Sequence, residues 1–397
     1  MGAVQKLRWR SYLLWLSFKM TRIRRKDKIR FLFVLQELSQ WKTERLYQAM
    51  LAHPRFEPIL GITPCIEHEG AEQRVAAYCE EKHYQFVALD PNKTIKEQID
   101  VDLLCHQKPY AANIHPAHQI DSNRSLPTVY ISYFIATIAE PWVVNQRACL
   151  LAWRQFVDNE SCRQAWRTIS KLNGINYVVT GSPMMDELLT PKRSMRDVWP
   201  VFDHRKRIIW APHHTIGDYH WDGILYSTFL DICWFMLELK EKYRDKVYFV
   251  FKPHPRLFQN LVKCWGEEKA RDYYSQWDEP GFSHKEENGK YVELLHYSDA
   301  MIHDCASYTV EYMYTGNPVM YVVRGDDHLD NMIPYAREAF ELHYKARTND
   351  EIERFVMDVI EGKDPLFDKR QLFKQEKLLP PNGKTACENI IDSILGK

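Results

Sequence analysis

Ile29-Arg30-Phe31-Leu32-Phe33-Val34-Leu35 is an almost unbroken apolar run, and its reading decides the fold. A strand with one wet face alternates apolar and polar residues. A strand covered on both faces does not, and such strands belong to parallel sheets flanked by helices. The spacing after it predicts a helix from Trp41 to Leu51, with Trp41, Leu46, Met50 and Leu51 near a helical period. The alternation continues with strands at Phe56–Ile62, Phe86–Leu89, Val101–Cys105, Thr128–Ser132 and Tyr177–Thr180. Helices are expected at Ala71–Lys82, Gln146–Phe156 and Cys162–Leu172. Strands alternating with helices imply an α/β class.

A second series starts after a polar, proline-bearing stretch, 190–206, read as a linker. Its expected strands are Arg207–Ala211, Val247–Phe251, Val292–Leu295, Ala300–Ile302 and Pro318–Val323, with a shorter apolar stretch at Leu342–Tyr344. Its expected helices are Ile224–Tyr243, Ser307–Tyr314 and Thr385–Leu395, with Asp350–Ile360 a further stretch before the last. The division is therefore a 1–27 segment, a 28–189 α/β domain, the 190–206 linker and a 207–397 α/β domain. Two Rossmann-like domains joined in this way are expected to face a cleft, with ligands beyond the carboxyl ends of the strands.

Composition narrows the class. Lys+Arg and Asp+Glu each number 53, so net charge is zero and a nucleic-acid binder, usually basic, is demoted. The nine cysteines form no CxxC pair and are odd in number, which reads as reduced thiols in a cytoplasm. No apolar run reaches the ~20 residues of a membrane span. Residues 1–30 stand apart. Lys6, Arg8, Arg10, Lys19, Arg22, Arg24, Arg25, Lys26, Lys28 and Arg30 surround Trp9, Leu13, Leu14, Trp15, Leu16 and Phe18, with Asp27 as the one acid. Bases flanking an aromatic, apolar centre suit a helix lying on an anionic membrane surface. The same residues suit a helix packed on the protein body, or an extension ahead of a start at Met20.

Three segments place polar residues just past a strand end: Ala211-Pro212-His213-His214-Thr215, Lys252-Pro253-His254-Pro255-Arg256 and His303-Asp304-Cys305-Ala306-Ser307. Together they gather His213, His214, Lys252, His254, Arg256, Asp304 and Ser307 at one sheet edge. Imidazoles and cations beside a helix amino end make an anion site, with a nucleotide diphosphate as the natural ligand. The plainer readings are a rigid His-Pro turn at His254 and helix capping by Asp304 and Ser307. No metal is expected, because adjacent histidines usually point apart and no HExxH set accompanies them. Neither GxGxxG nor GxxxxGKS occurs, so no redox dinucleotide cofactor is expected.

These same segments resemble the CDP-glycerol glycerophosphotransferases of the teichoic-acid type. Ala211-Pro212-His213 is similar to the family's Ala-Pro-Thr stretch, and Lys252-Pro253-His254-Pro255 to its Arg-x-His-Pro element. His303-Asp304-Cys305-Ala306-Ser307 resembles its Thr-Asp-Tyr-Ser-Ser element. Glu311-Tyr312 and Asn317-Pro318-Val319 resemble the acidic-aromatic helix and the Lys-Pro-apolar strand that come after that element. Gly181-Ser182-Pro183-Met184-Met185-Asp186 resembles the turn that closes the first domain, and Pro381-Asn382-Gly383-Lys384 the C-terminal element. Cys305, Ala306 and Lys252 depart from the pattern. The nearest stretch to the family's Trp-His-Gly-Thr-Pro element is Cys105-His106-Gln107-Lys108-Pro109-Tyr110.

The resemblance implies the GT-B architecture and transfer of a phosphopolyol from a CDP-activated donor to a hydroxyl of a membrane-linked envelope glycan, releasing CMP. His254 would donate to the diphosphate, with Lys252, Arg256, His213, His214 and Ser307 around it and Asp304 fixing the loop or a donor hydroxyl. His106 would be the base on the acceptor hydroxyl. The alternatives are a GT-B glycosyltransferase using a CMP- or UDP-sugar, and a non-catalytic nucleotide- or glycan-binding member. The location implied is cytoplasmic, peripheral on the inner face of the membrane.

Overall fold

The computed structural model describes residues 3–201, 203–218, 225–287, 291–325 and 331–397, with side chains from Leu7 onward. The expected contributions of Lys6 and of Ile224 lie outside what is described. The chain divides into two compact units. The first comprises 1–135, 139–186 and 379–397, and the second 136–138 and 187–378.

The first unit holds a seven-stranded sheet, with β1 Ile29–Leu35, β2 Phe56–Ile62, β3 Phe86–Ala88, β4 Leu103–His106, β5 Thr128–Ile131, β6 Arg154–Val157 and β7 Tyr177–Val179. The order is β3-β2-β1-β4-β5-β6-β7, and every pairing is parallel. One face carries Phe31, Phe33, Leu35, Leu103, Cys105, Val129, Ile131 and Phe156 into a continuous core. That core is closed by Leu13, Leu16, Met20 and Ile23 of an N-terminal helix, Ala3–Ile23, and by Cys387, Ile390, Ile391 and Ile394 of the Ala386–Leu395 helix.

Two boundaries therefore change. Residues 1–27 are part of the first unit, and 379–397 return to it rather than ending the second. The return is fixed at Gly181, whose φ of +88° leaves its missing Cβ only 2.8 Å from Pro380 and 3.0 Å from the Cβ of Ala386. The expected Gln146–Phe156 helix is also corrected. It stops at Leu151, and Arg154–Val157 is a buried strand whose polar Gln155 hid the apolar pattern.

The second unit holds a six-stranded sheet, with β8 Lys206–Ala211, β9 Val247–Phe251, β10 Ser283–Lys285, β11 Ala300–His303, β12 Val319–Val322 and β13 Tyr344–Ala346. Its order is β10-β9-β8-β11-β12-β13, again parallel throughout. Val292–Leu295, expected as a strand, lies in a helix, Val292–His296. Four residues, Val292-Glu293-Leu294-Leu295, are too few for periodicity to arbitrate. The 190–206 stretch is more than a linker: it carries a short helix, Met195–Val198, and buries Trp199 completely.

Candidate functional site

In the second sheet the strand order reverses between β8 and β11, whose registers bring Ala211 beside His303. Ligands of open parallel sheets bind beyond the carboxyl ends at such a reversal. The chain leaves β8 through Pro212 into His213 and His214, leaves the adjacent β9 through Lys252 and Pro253 into His254, and leaves β11 into Asp304.

The three histidines converge. Ring centroids lie 4.4 Å apart for His213 and His214, 5.2 Å for His213 and His254, and 4.2 Å for His214 and His254. The expectation that adjacent histidines point apart fails here. The His254 N–H donates to the Pro212 carbonyl at 3.1 Å and binds the two loops together. Burial lowers all three pKa values, that of His214 to about 4. The neighbouring rings add to the effect on His213 and His254, and the Arg256 guanidinium to that on His214 and His254.

One nitrogen from each ring lies within 4.8 Å of the others, close enough to share an ion. Hydrogen bonding decides what kind. The Thr215 hydroxyl oxygen accepts the N–H groups of Tyr226 (2.9 Å) and Ser227 (3.2 Å), so its own proton is left for His213 Nδ1 at 3.0 Å. His254 Nδ1 accepts the Arg256 N–H at 3.1 Å. In a neutral ring whose Nδ1 accepts, Nε2 carries the proton. His213 and His254 thus offer Nε2–H donors, which suit an anionic oxygen. A cation would require both rings to turn an N–H against an existing donor.

Asp304 is the anchor of this edge. Its carboxylate is 2% exposed and accepts the His213 N–H at 2.5 Å, the Thr228 N–H at 2.7 Å, the Thr228 hydroxyl at 3.1 Å and the Ser227 hydroxyl at 3.2 Å. Burial raises its pKa to about 6 against these hydrogen bonds. It does not cap the helix that comes after it. Instead it ties the β8 loop to the start of the Phe229–Lys242 helix. Ser307 is not a cap either, because its backbone is already helical and its side chain makes no capping bond. The Tyr308–Glu311 helix it precedes is a single turn, too short to supply the expected dipole site.

Lys252 is buried, with its ammonium 4.2 Å from the centre of the Tyr291 ring, and the Tyr291 hydroxyl donates to Glu311 at 3.1 Å. No sequence signal pointed to Tyr291, Ser227 or Thr228, and Thr215 showed only as the residue beside the histidine pair. Glu311 left a clearer one, as the acid of the helix after the His303–Ser307 segment. Arg256 is exposed at the start of the Leu257–Trp265 helix. His106 lies in the first unit, at the end of β4, where that sheet's order also reverses. It is 2% exposed, and burial together with the charge of His118 lowers its pKa to about 4.

Two parallel α/β units, one carrying three converging histidines at its strand-order reversal, give the chain the GT-B architecture. The chain belongs to the CDP-glycerol:poly(glycerophosphate) glycerophosphotransferase family, whose model matches residues 154–395. That span runs from β6 into the C-terminal helix and contains the whole six-stranded sheet. No curated protein matches the chain. Among solved structures, the wall teichoic acid polymerase TagF is similar at 13% identity, over 99% of this chain and 98% of that one, with a TM-score of 0.66. A TagF variant soaked with CDPG has 13% identity, the same coverage and a TM-score of 0.55. The UDP-GlcNAc 2-epimerase from Neisseria meningitidis, bound to UDP-GlcNAc, is similar at 16% identity, over 93% of this chain and 100% of that one, with a TM-score of 0.59. At these identities the structural likenesses establish the fold.

Proposed function

We propose that this CDP-glycerol-type transferase moves glycerol phosphate, or a closely related phosphopolyol, to a hydroxyl of an envelope glycan and releases CMP. The observation that carries the reading is the pair of Nε2–H donors from His213 and His254 at the β8/β11 reversal. Phosphoryl transfer needs chiefly positioning and stabilisation of charge. Neutral imidazoles donate to diphosphate oxygens without the desolvation cost of burying a second set of cations, and Arg256 and Lys252 supply positive charge at the margin. Asp304 holds the cradle in shape. Ser307 remains a candidate for the phosphate oxygens. His106 takes the proton from the acceptor hydroxyl.

The acceptor being membrane-linked, the same reading places the protein at an anionic membrane surface through its N-terminal helix. That helix has two apolar faces. Trp9, Leu13, Leu16, Met20 and Ile23 are buried against the body. Trp9, Leu13 and Leu16, which the sequence pattern assigns to the membrane face, are therefore not available to lipid. On the opposite face Leu7, Leu14 and Phe18 are 66%, 71% and 61% exposed, with Trp15 beside them. Arg8, Arg10, Lys19 and Arg22 border that stripe, and the Arg22 guanidinium lies 5.4 Å from the Phe18 ring. An apolar stripe edged by bases matches the acyl boundary and the anionic headgroups above it. No helix among the described residues is long and apolar enough to cross a membrane.

The test is mass spectrometry of products from a panel of CDP-polyols, CMP-sugars and UDP-sugars with a polyol-phosphate glycan acceptor. A mass gain of one phosphopolyol with equimolar CMP supports the reading. Transfer of a sugar from a nucleotide sugar, with CDP-polyols inert, overturns it.

A further inference from the structure

The two faces of the first sheet are unlike. The face that carries Phe31, Phe33 and Leu103 is apolar across its width. The other is apolar at β1 and β4, where Leu32, Val34 and Leu104 cluster, and then changes character. The registers align His106 of β4 with Tyr130 of β5, Tyr130 with Gln155 of β6, and Gln155 with Tyr177 of β7. Residues in register on neighbouring strands project to the same side. Four consecutive strands thus carry a polar side chain into one row, and all four residues are buried.

Every member of the row has a polar atom without a hydrogen-bond partner among the described residues: His106 Nε2, the Tyr130 hydroxyl, both amide atoms of Gln155, and the Tyr177 hydroxyl. Buried polar groups in folded proteins are nearly always satisfied by protein or by ordered water. Leaving one unsatisfied costs ~1–3 kcal/mol. A row of five such atoms would be a costly defect if dry. The side chains that pack on Tyr130 are small: Ala148, Cys149 and Ala152. Ser132 and Ser170 approach the two phenols.

We propose that this row holds a file of internal water molecules and that the file is the proton outlet of His106. The proposal rests on His106 as the base of the transfer reaction. The neutral ring starts with its proton on Nε2, facing the row, and its lone pair on Nδ1. As the acceptor oxygen bonds to phosphorus and the bond to CMP breaks, the hydroxyl proton passes to Nδ1. The Nε2 proton passes to the first water of the file, and from there along Tyr130, Gln155 and Tyr177. The ring ends neutral in its other tautomer, so no imidazolium has to form in a buried position. The file hands its proton to bulk water, and once product has left, Nδ1 gives its proton to water entering on the acceptor side as the file returns one to Nε2. General acid–base groups contribute typically ~10²–10⁴ in rate, and breaking a relay behind such a group is expected to cost about tenfold or more.

The experiment has three arms on the full chain. A crystal structure at a resolution that shows ordered water is expected to place waters in hydrogen-bond contact with His106 Nε2, the Tyr130 hydroxyl and Gln155; a dry row overturns the proposal. Tyr130→Phe and Gln155→Leu, each checked for an unchanged melting profile, are expected to lower kcat about tenfold with the donor KM unchanged. They should also turn a curved proton inventory in mixed H2O and D2O into a linear one. Folded variants with wild-type kcat and an unaltered inventory overturn the relay. Should one of the two substitutions prevent folding, the other carries the test. His106→Gln separates the two levels. If it abolishes turnover while both row variants are wild-type, His106 is the base and the outlet is wrong. If it leaves turnover intact, the base reading fails and the relay fails with it.

Discussion

The Asp186 carboxylate accepts the backbone N–H of Ala386 at 2.9 Å across 200 residues of sequence, and that of Cys387 at 2.9 Å beside it. Two stretches that resemble separate family elements, Gly181–Asp186 and Pro381–Lys384 with its helix, are therefore parts of one device. The first supplies the cap and the close approach that the second needs.

Asp186→Ala is expected to lower the stability of the first unit by about 2–4 kcal/mol. Two buried N–H groups lose their acceptor, and each unsatisfied donor costs ~1–3 kcal/mol. Asp186→Asn, which keeps one acceptor oxygen, should cost less. Urea unfolding followed by tryptophan fluorescence reads both, and an unchanged midpoint for the alanine variant would contradict the capping role.

His254→Ala is expected to lower kcat by about 10²–10³, the usual cost of removing one donor to developing negative charge. His213→Ala should act in the same direction. His254→Asn, which restores an N–H donor without a titratable ring, should recover part of the loss. Wild-type turnover in the alanine variant at saturating donor would remove His254 from the site.

Stability should fall as pH drops from 6.5 toward 4. An imidazole whose folded pKa lies below its free value binds its proton more readily once unfolded. The stability from keeping it neutral is complete above pH 6.5 and is lost on acidification. Burial places His214 and His106 at about 4 and His343 at about 3. At about 1.4 kcal/mol per pH unit, each can contribute on the order of 3 kcal/mol. Asp304 acts the other way: its contribution is present below pH 3.8 and fades as pH rises through about 6. Urea midpoints measured across this window should follow the histidines, and His343→Asn should flatten the dependence. A midpoint that rises on acidification would mean that Asp304 dominates.

Leu14→Glu combined with Phe18→Glu is expected to abolish co-sedimentation with anionic vesicles while leaving the melting temperature unchanged. Leu16→Ala is expected to do the reverse, costing about 2–5 kcal/mol of stability through the cavity it leaves. Full-length binding should weaken as salt rises, since the Debye length falls from ~10 Å at 0.1 M to ~3 Å at 1 M. Equal vesicle partitioning of the double variant and the unaltered chain would mean that this stripe is not the anchor.

The sequence was most legible where burial is two-sided. Ile29–Leu35, Phe56–Ile62 and Val247–Phe251 are predominantly apolar and lie where the alternation places them. The β8, β9 and β11 exits were equally readable, because a polar triplet after such a run can only sit at the carboxyl edge. Their convergence was not, since it depends on a strand order that places β8 between β9 and β11. Asp304 was visible as a residue that would fix its loop or cap the helix after it, and only the capping alternative fails. Capping is a local signal, whereas its partners His213 and Thr228 are 91 and 76 residues away. Arg154–Val157 was lost to Gln155, a polar residue at the centre of a buried strand.

Because the Ala386–Leu395 helix covers a sheet whose last strand ends at Val179, the first unit is interrupted in translation order. A ribosome making this chain releases seven strands, then all of 187–378, and only then the helix that seals them. During that interval Phe31, Phe33 and Leu103 belong to a face still missing the residues that cover part of it. The second unit can reach its native state inside the growing chain, while the first waits with apolar surface open, the condition that favours aggregation and chaperone capture. Expression trouble in truncated forms should therefore trace to the first unit, even when the residues removed lie just past the second.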